Sequence, residues 1–143
     1  MMRHSVRGDG RRLRRSCLKF PERLRLRLRT FARNTVRKID LTGDGREDYI
    51  VDFQDTKCGD RQTTFCGTGG CVMKILVMLP DGSVREVFDG YVRGYKIMVP
   101  PVKRGAARTV RFDLHGSFCG GFGPQACWKT KAITATSFAF EQP

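Results

Sequence analysis

The chain reads as a mainly β protein: a single antiparallel domain of the sandwich or barrel-like kind, preceded by a basic, poorly ordered N-terminal arm. Three observations predict this. From about Thr35 onward, short apolar runs rich in Val, Ile, Phe, Tyr and Thr alternate with Gly, Asp and Pro punctuation. No window of 11 or more residues in that stretch repeats its apolar positions at the 3.6 spacing of a helix. Pro80-Asp81-Gly82-Ser83 stands between two apolar runs with the composition of a hairpin turn, Pro fixing one dihedral and Gly taking the positive one.

Seven strands follow in order. Residues 36–41 and 49–53 flank an acidic loop, and 72–79 and 84–88 flank the Pro80–Ser83 turn. Residues 95–99 open on Tyr95, and 109–114 alternate Val110, Phe112 and Leu114 with polar neighbours. The last strand, 132–140, carries Phe138 and Phe140 at the same period of two. Residues 35–143 are enough for one core. At 143 residues a multidomain machine is excluded, and the lack of an internal repeat excludes a solenoid or a full propeller. No apolar run approaches the roughly 18 residues of a membrane-spanning helix.

The charge is uneven. The chain holds 27 Lys and Arg against 14 Asp and Glu, a net charge of +13, which ordinarily suggests a polyanion partner. Almost all of the excess lies before Asp40, where the only acids are Asp9 and Glu22. The arm, residues 1–34, includes Arg11-Arg12-Leu13-Arg14-Arg15 and the alternation Arg23-Leu24-Arg25-Leu26-Arg27-Leu28-Arg29. Like charges two apart repel, so neither a strand nor a helix is favoured there, and disorder is expected.

Three readings of the arm compete. It could neutralise nucleic-acid phosphates in a salt-sensitive way, although Phe20 and Phe31 are its only aromatics and make no stacking platform. It could be an Arg-rich targeting sequence, but no apolar stretch of 7 to 15 residues makes it a secretory signal. Or the start is misassigned and the true leader is absent.

The strongest chemical signal is Asp40-Leu41-Thr42-Gly43-Asp44-Gly45-Arg46-Glu47-Asp48. With Asp40 as position one, side-chain oxygens fall at positions one, three, five and nine, and Gly45 stands at six, where a tight cation loop needs a sharp turn. Asp40, Thr42, Asp44 and Asp48 could converge on a calcium ion, with the Arg46 carbonyl at position seven. Three carboxylates packed together would otherwise repel. The competing reading is a plain turn whose carboxylates cap their own backbone. Position twelve is Val51 rather than a bidentate Glu, and the flanks are strands, so this is no EF-hand.

The stretch from Lys38 to Val51 resembles the FG-GAP or VCBS type of calcium loop, an Asp-x-Asn-x-Asp-Gly-x-x-Asp pattern between β-strands. The resemblance implies Asp40, Asp44 and Asp48 as side-chain ligands and Arg46 as a carbonyl ligand. Thr42 stands where Asn or Asp is usual and offers a weaker hydroxyl. Affinity would fall in the weak range of extracellular modules, on the order of 10⁻⁴ to 10⁻³ M, which suits a structural ion.

Six cysteines, Cys17, Cys58, Cys66, Cys71, Cys119 and Cys127, set among glycines, suit disulfides in an oxidising compartment. Cys119 and Cys127 are the best pair, flanking a flexible Gly-rich loop. Among Cys58, Cys66 and Cys71 one bridge is expected, with Cys17 able to take the remaining thiol. Zinc is the rival, but the Cys66–Cys71 and Cys119–Cys127 spacings lack the usual two-residue gap and no clustered His supports it. His115, four residues before Cys119, could activate a thiolate, though no third orienting group or oxyanion hole is evident. A hydrogen-bonded structural His is the plainer reading. The glycines between Cys66 and Cys71 are not a phosphate loop, since no Lys-Ser or Lys-Thr follows.

Phe65-Cys66-Gly67-Thr68-Gly69-Gly70-Cys71 and Asp113-Leu114-His115-Gly116-Ser117-Phe118-Cys119 are similar to segments of uncharacterised bacterial exported proteins that also carry the acidic loop. That resemblance implies export. The expectation is therefore a periplasmic or secreted, non-enzymatic β domain with one structural calcium loop and a binding or structural role. The alternative is a nucleic-acid-binding protein acting through its arm, which salt-sensitive DNA binding lost with residues 1–34 would reveal. Tyr91, Tyr95 and Trp128 are expected in the core rather than in a surface patch.

Overall fold

The computed structural model describes residues 36–54, 65–98 and 105–143. The basic arm, Cys17 and Cys58 lie outside the described residues. Among the described residues eight strands follow in order: β1 (Val36–Ile39), β2 (Asp48–Asp52), β3 (Cys66–Gly67), β4 (Gly70–Met78), β5 (Val84–Val92), β6 (Gly94–Ile97), β7 (Thr109–Asp113) and β8 (Trp128–Ala132), with a 3-10 helix at Gly116–Cys119. Every pairing is antiparallel. One sheet runs β1-β2-β4-β3 with β5 also on β4, and the other runs β6-β7-β8. The two do not close into a barrel and share one core in a sandwich-like arrangement.

Strand β4 is the centre of the larger sheet, and its near-continuous apolar sequence follows from burial on both faces. Met73, Ile75 and Val77 join Ile50 in the main core, while Leu76 joins Val51, Phe53 and Phe65 in a smaller cluster. Opposite it, Ile75 pairs with Phe88 but Leu76 pairs with Glu86. The bulge leaves Val87 as the extra residue and lets two successive side chains, Val87 and Phe88, both be buried. The β4–β5 turn is the expected one: Leu79 N–H donates to the Ser83 carbonyl (2.8 Å), and Asp81 accepts from the Ser83 N–H (2.9 Å) and hydroxyl (2.6 Å).

The chain crosses from one sheet to the other at Arg93, whose N–H donates to the Asp113 carbonyl (2.7 Å). Arg108 ties the sheets again: its N–H donates to the Leu41 carbonyl (2.7 Å), and its carbonyl accepts from Ile133 (3.0 Å). Val110 and Phe112 of β7 face the core, as their alternation predicts.

Three expectations change. The last strand is Trp128–Ala132, not 132–140. The period-two signal at 134–140 comes from Phe138 and Phe140 entering an aromatic cluster with Phe88 and Phe112, ring centroids 4.9–5.9 Å apart, without a ladder. That segment is held to β5 by isolated bonds: Phe138 N–H to the Val87 carbonyl (2.9 Å), Ser137 Oγ to the Glu86 carbonyl (3.2 Å) and the Arg85 guanidinium to the Ala135 carbonyl (3.0 Å). Secondly, β3 is an additional two-residue strand, too short to show a period. Thirdly, Tyr91 and Trp128 are 54% and 55% exposed, so core packing holds only for Tyr95 among the three. Trp128 lies on an edge strand, where Arg111 stacks over its ring at 4.8 Å.

Candidate functional site

The acidic loop bends through Gly43 and Gly45 at φ +83° and +85°, so Gly45 supplies the positive dihedral expected of its position. A Cβ on Gly43 would lie 2.6 Å from the Ala106 carbonyl oxygen, because the loop packs on residues 105–106. Each aspartate is engaged with backbone amides. Asp40 accepts from Gly43 N–H and Gly45 N–H, both at 2.8 Å. Asp44 accepts from Arg46 N–H at 2.8 Å, and its other oxygen faces the Arg46 guanidinium at 3.2 Å. Asp48 is fully buried and accepts from Leu41 (2.8 Å), Thr42 (3.1 Å) and Met78 (3.0 Å), joining the loop to the end of β4.

The electrostatics of the two inner positions differ. The Arg46 N–H holds the Asp44 carboxyl below its usual range, with smaller help from the Arg46 guanidinium and Thr42. Burial pushes Asp48 up, against the pull of its three amide donors, and the charge of Asp44 adds to that rise. Thr42 Oγ1 is buried beside Asp44 and forms no well-shaped hydrogen bond. Among the described residues, no three His, Cys, Asp or Glu side chains are gathered as a metal cluster. The loop thus brings Asp40, Thr42, Asp44, Arg46 and Asp48 onto one turn, with its carboxylates on their own backbone rather than on a common point.

The cysteines resolve more simply. Cys119 pairs with Cys127, as expected, and Cys66 with Cys71. Cys66 and Cys71 stand opposite each other in the β3–β4 register, which explains why that pair forms. Both zinc binding by these four residues and a Cys119 thiolate are overturned, because a disulfide sulfur is neither ligand nor nucleophile.

His115 caps the 3-10 helix, its Nδ1 accepting from the Ser117 N–H (3.2 Å). An amide can only donate, so the ring proton resides on Nε2 and the Ser117 hydroxyl, 2.7 Å away, also donates to Nδ1. Gln142 Nε2 donates in turn to Ser117 Oγ (2.8 Å). The amides of Phe118, Gly120 and Gly121 are taken by the carbonyls of His115, Ser117 and Gly116. This row fixes side-chain orientation, and those three amides are spent on carbonyls.

The row opens onto a cleft of about 570 Å³ that includes Thr68, Phe88, Asp89, Tyr91, Phe118 and Phe140. One wall is the Cys66–Cys71 hairpin with the end of β5, and the other is the 3-10 helix. At Gly70, φ is +105° and a Cβ would lie 2.1 Å from the Val92 carbonyl oxygen, so only glycine lets the hairpin press against β5. Of these, sequence reasoning weighed only His115 and Tyr91 as functional candidates. The cleft joins four separate short stretches, 67–69, 88–91, 114–118 and 139–142, and their meeting has no local signature.

Comparison with protein-family models, curated proteins and solved structures returns no match for this chain. Two disulfides fit an oxidising extracellular or periplasmic compartment, and no helix among the described residues is long and apolar enough to cross a membrane.

Proposed function

We infer that the chain is a non-enzymatic exported domain, periplasmic or secreted, with a binding or structural role, in which the acidic loop takes one structural calcium ion. The observation that carries this reading is the buried, poorly partnered Thr42 Oγ1 beside Asp44, at the third position of an FG-GAP-like loop. A buried hydroxyl whose contact with Asp44 is too poorly shaped to count as a full hydrogen bond is costly, and a hard cation would satisfy it.

The donor set fits. A carboxylate has about four acceptor sites. Asp48 uses three on backbone amides, while Asp40 keeps a lone pair on each oxygen. Asp44 would exchange its exposed contact with Arg46, an ion pair of small worth, for the ion. Asp40, Thr42, Asp44 and Asp48 with the Arg46 carbonyl would then hold calcium, which supplies charge neutralisation.

The test is thermal melting of the full chain in chelator and in about 10 mM calcium. For affinity of about 10⁻⁴ to 10⁻³ M the ion adds roughly 1.4–2.7 kcal/mol. That corresponds to a rise of about 5 °C or more. Asp44→Ala should abolish it. An unchanged melting temperature in the parent chain refutes the ion and leaves a turn closed by its own carboxylates.

A further inference from the structure

We propose that the cleft between the Cys66–Cys71 hairpin and the 3-10 helix binds a neutral saccharide. Its volume of about 570 Å³ lies within the usual small-molecule range of about 300–1,000 Å³. The acidic loop does not line it, so the inference is independent of calcium.

Charge narrows the ligand class. Among the described residues, no Lys or Arg lines the cleft. Among the described residues Asp89 is the one formally charged member of the lining, and it shares the Lys74 ammonium, 3.1 Å away, with Glu86 at 3.3 Å. An anion meets the Asp89 carboxylate there, and the Arg93 guanidinium beside the hairpin is bonded to the Thr68 carbonyl (3.2 Å). That single, partly compensated carboxylate stands among aromatic rings and hydroxyls, a lining that suits a neutral ligand.

The lining narrows it further. Tyr91, Phe118 and Phe140 offer aromatic surface over the buried Phe88, and Tyr91 is 54% exposed. Beside them stand the Thr68 hydroxyl and the Gln142 amide, which both donate and accept, and the Ser117 hydroxyl, which keeps one lone pair after donating to His115 and accepting from Gln142. Ser117, Gln142 and His115 are already set in one orientation by their mutual hydrogen bonds, which lowers the ordering cost of binding. Gln142 spends an N–H on Ser117, so its amide oxygen can accept from a ligand. A sugar ring has the complementary pattern, an apolar C–H face edged by hydroxyls that donate and accept. Each wall-forming stretch is closed by a disulfide, Cys66–Cys71 around Thr68 and Cys119–Cys127 immediately after Ser117 and Phe118 in the chain.

The test titrates the oxidised full chain with neutral probes, glucose, galactose, mannose, N-acetylglucosamine and their disaccharides, following backbone amide resonances by NMR. Glucose 6-phosphate and cyclohexanol serve as charged and apolar controls. Saturable shifts are expected at Thr68, Tyr91, Ser117 and Gln142 with at least one neutral sugar. Tyr91→Ala and Gln142→Ala should each weaken binding about tenfold, and Trp128→Ala should leave it unchanged. Three results would overturn the proposal: no saturable shift with any sugar, shifts centred on Trp128, or binding of either control as tight as that of the best sugar.

Discussion

Replacing Asp48 by alanine tests the organisation of the acidic loop without any ion, in chelator. The carboxylate accepts from three amides: Leu41 in a buried contact, and Thr42 and Met78 in partly buried ones. Alanine leaves the Leu41 N–H unsatisfied, at a cost of about 1–3 kcal/mol. The Thr42 and Met78 amides regain water and lose roughly 0.5–1 kcal/mol each. Relief from burying a carboxylate, the cause of Asp48's raised pKa, returns part of this. The net expectation is a loss of about 2–4 kcal/mol, a large share of the roughly 5–15 kcal/mol of a typical domain. Asp48→Asn keeps one acceptor oxygen and should lose about half as much. Urea unfolding gives the comparison, with an unchanged slope showing that the same surface is exposed. An Asp48→Ala midpoint within about 0.5 kcal/mol of the parent would show that the three amides do not depend on this side chain.

Removing the disulfides should lower stability in proportion to the logarithm of loop length: about 2.5 kcal/mol for Cys119→Ser with Cys127→Ser, and about 2 kcal/mol for Cys66→Ser with Cys71→Ser, by urea unfolding. Losses under about 0.5 kcal/mol for both pairs would argue against closed loops as their main contribution. At Asp81, hydrogen bonds from Ser83 hold the folded carboxyl below its ordinary value of 3.8. The folded state therefore binds this proton less readily than the unfolded chain. The contribution is present above that value and is lost as pH falls through the lower folded one. The stability gap between the parent and Asp81→Ala should shrink on acidification. A gap constant with pH would mean the turn does not need the charge.

What could be read from the sequence was local. The Pro80–Ser83 turn, the positive dihedral at Gly45 and the Cys119–Cys127 bridge each depend on residues within a few positions of one another. The loop around Asp40 was recognisable for the same reason. What escaped notice depends on long separations. Asp48 answers the amide of Met78, 30 residues on, so its role in joining loop to sheet has no local signature. The strand at Trp128–Ala132 carries Lys129 and Lys131, and its ladder with β7 exists because β7 is already placed. Phe138 and Phe140 alternate like a strand but answer to Phe88 and Phe112 rather than to a ladder. The cleft needs β5, the 3-10 helix and Gln142 together.

The placement of Phe138 and Phe140 bears on how the chain acquires its shape. Their ring partners, Phe88 and Phe112, leave the ribosome first, so both sheets can be paired while the seam between them still gapes. During vectorial synthesis the nascent domain would hold greasy rings open to solvent until Phe138 and Phe140 emerge, a stage that favours chaperone capture and misassociation. A polypeptide cut short just before Thr136 would be trapped there.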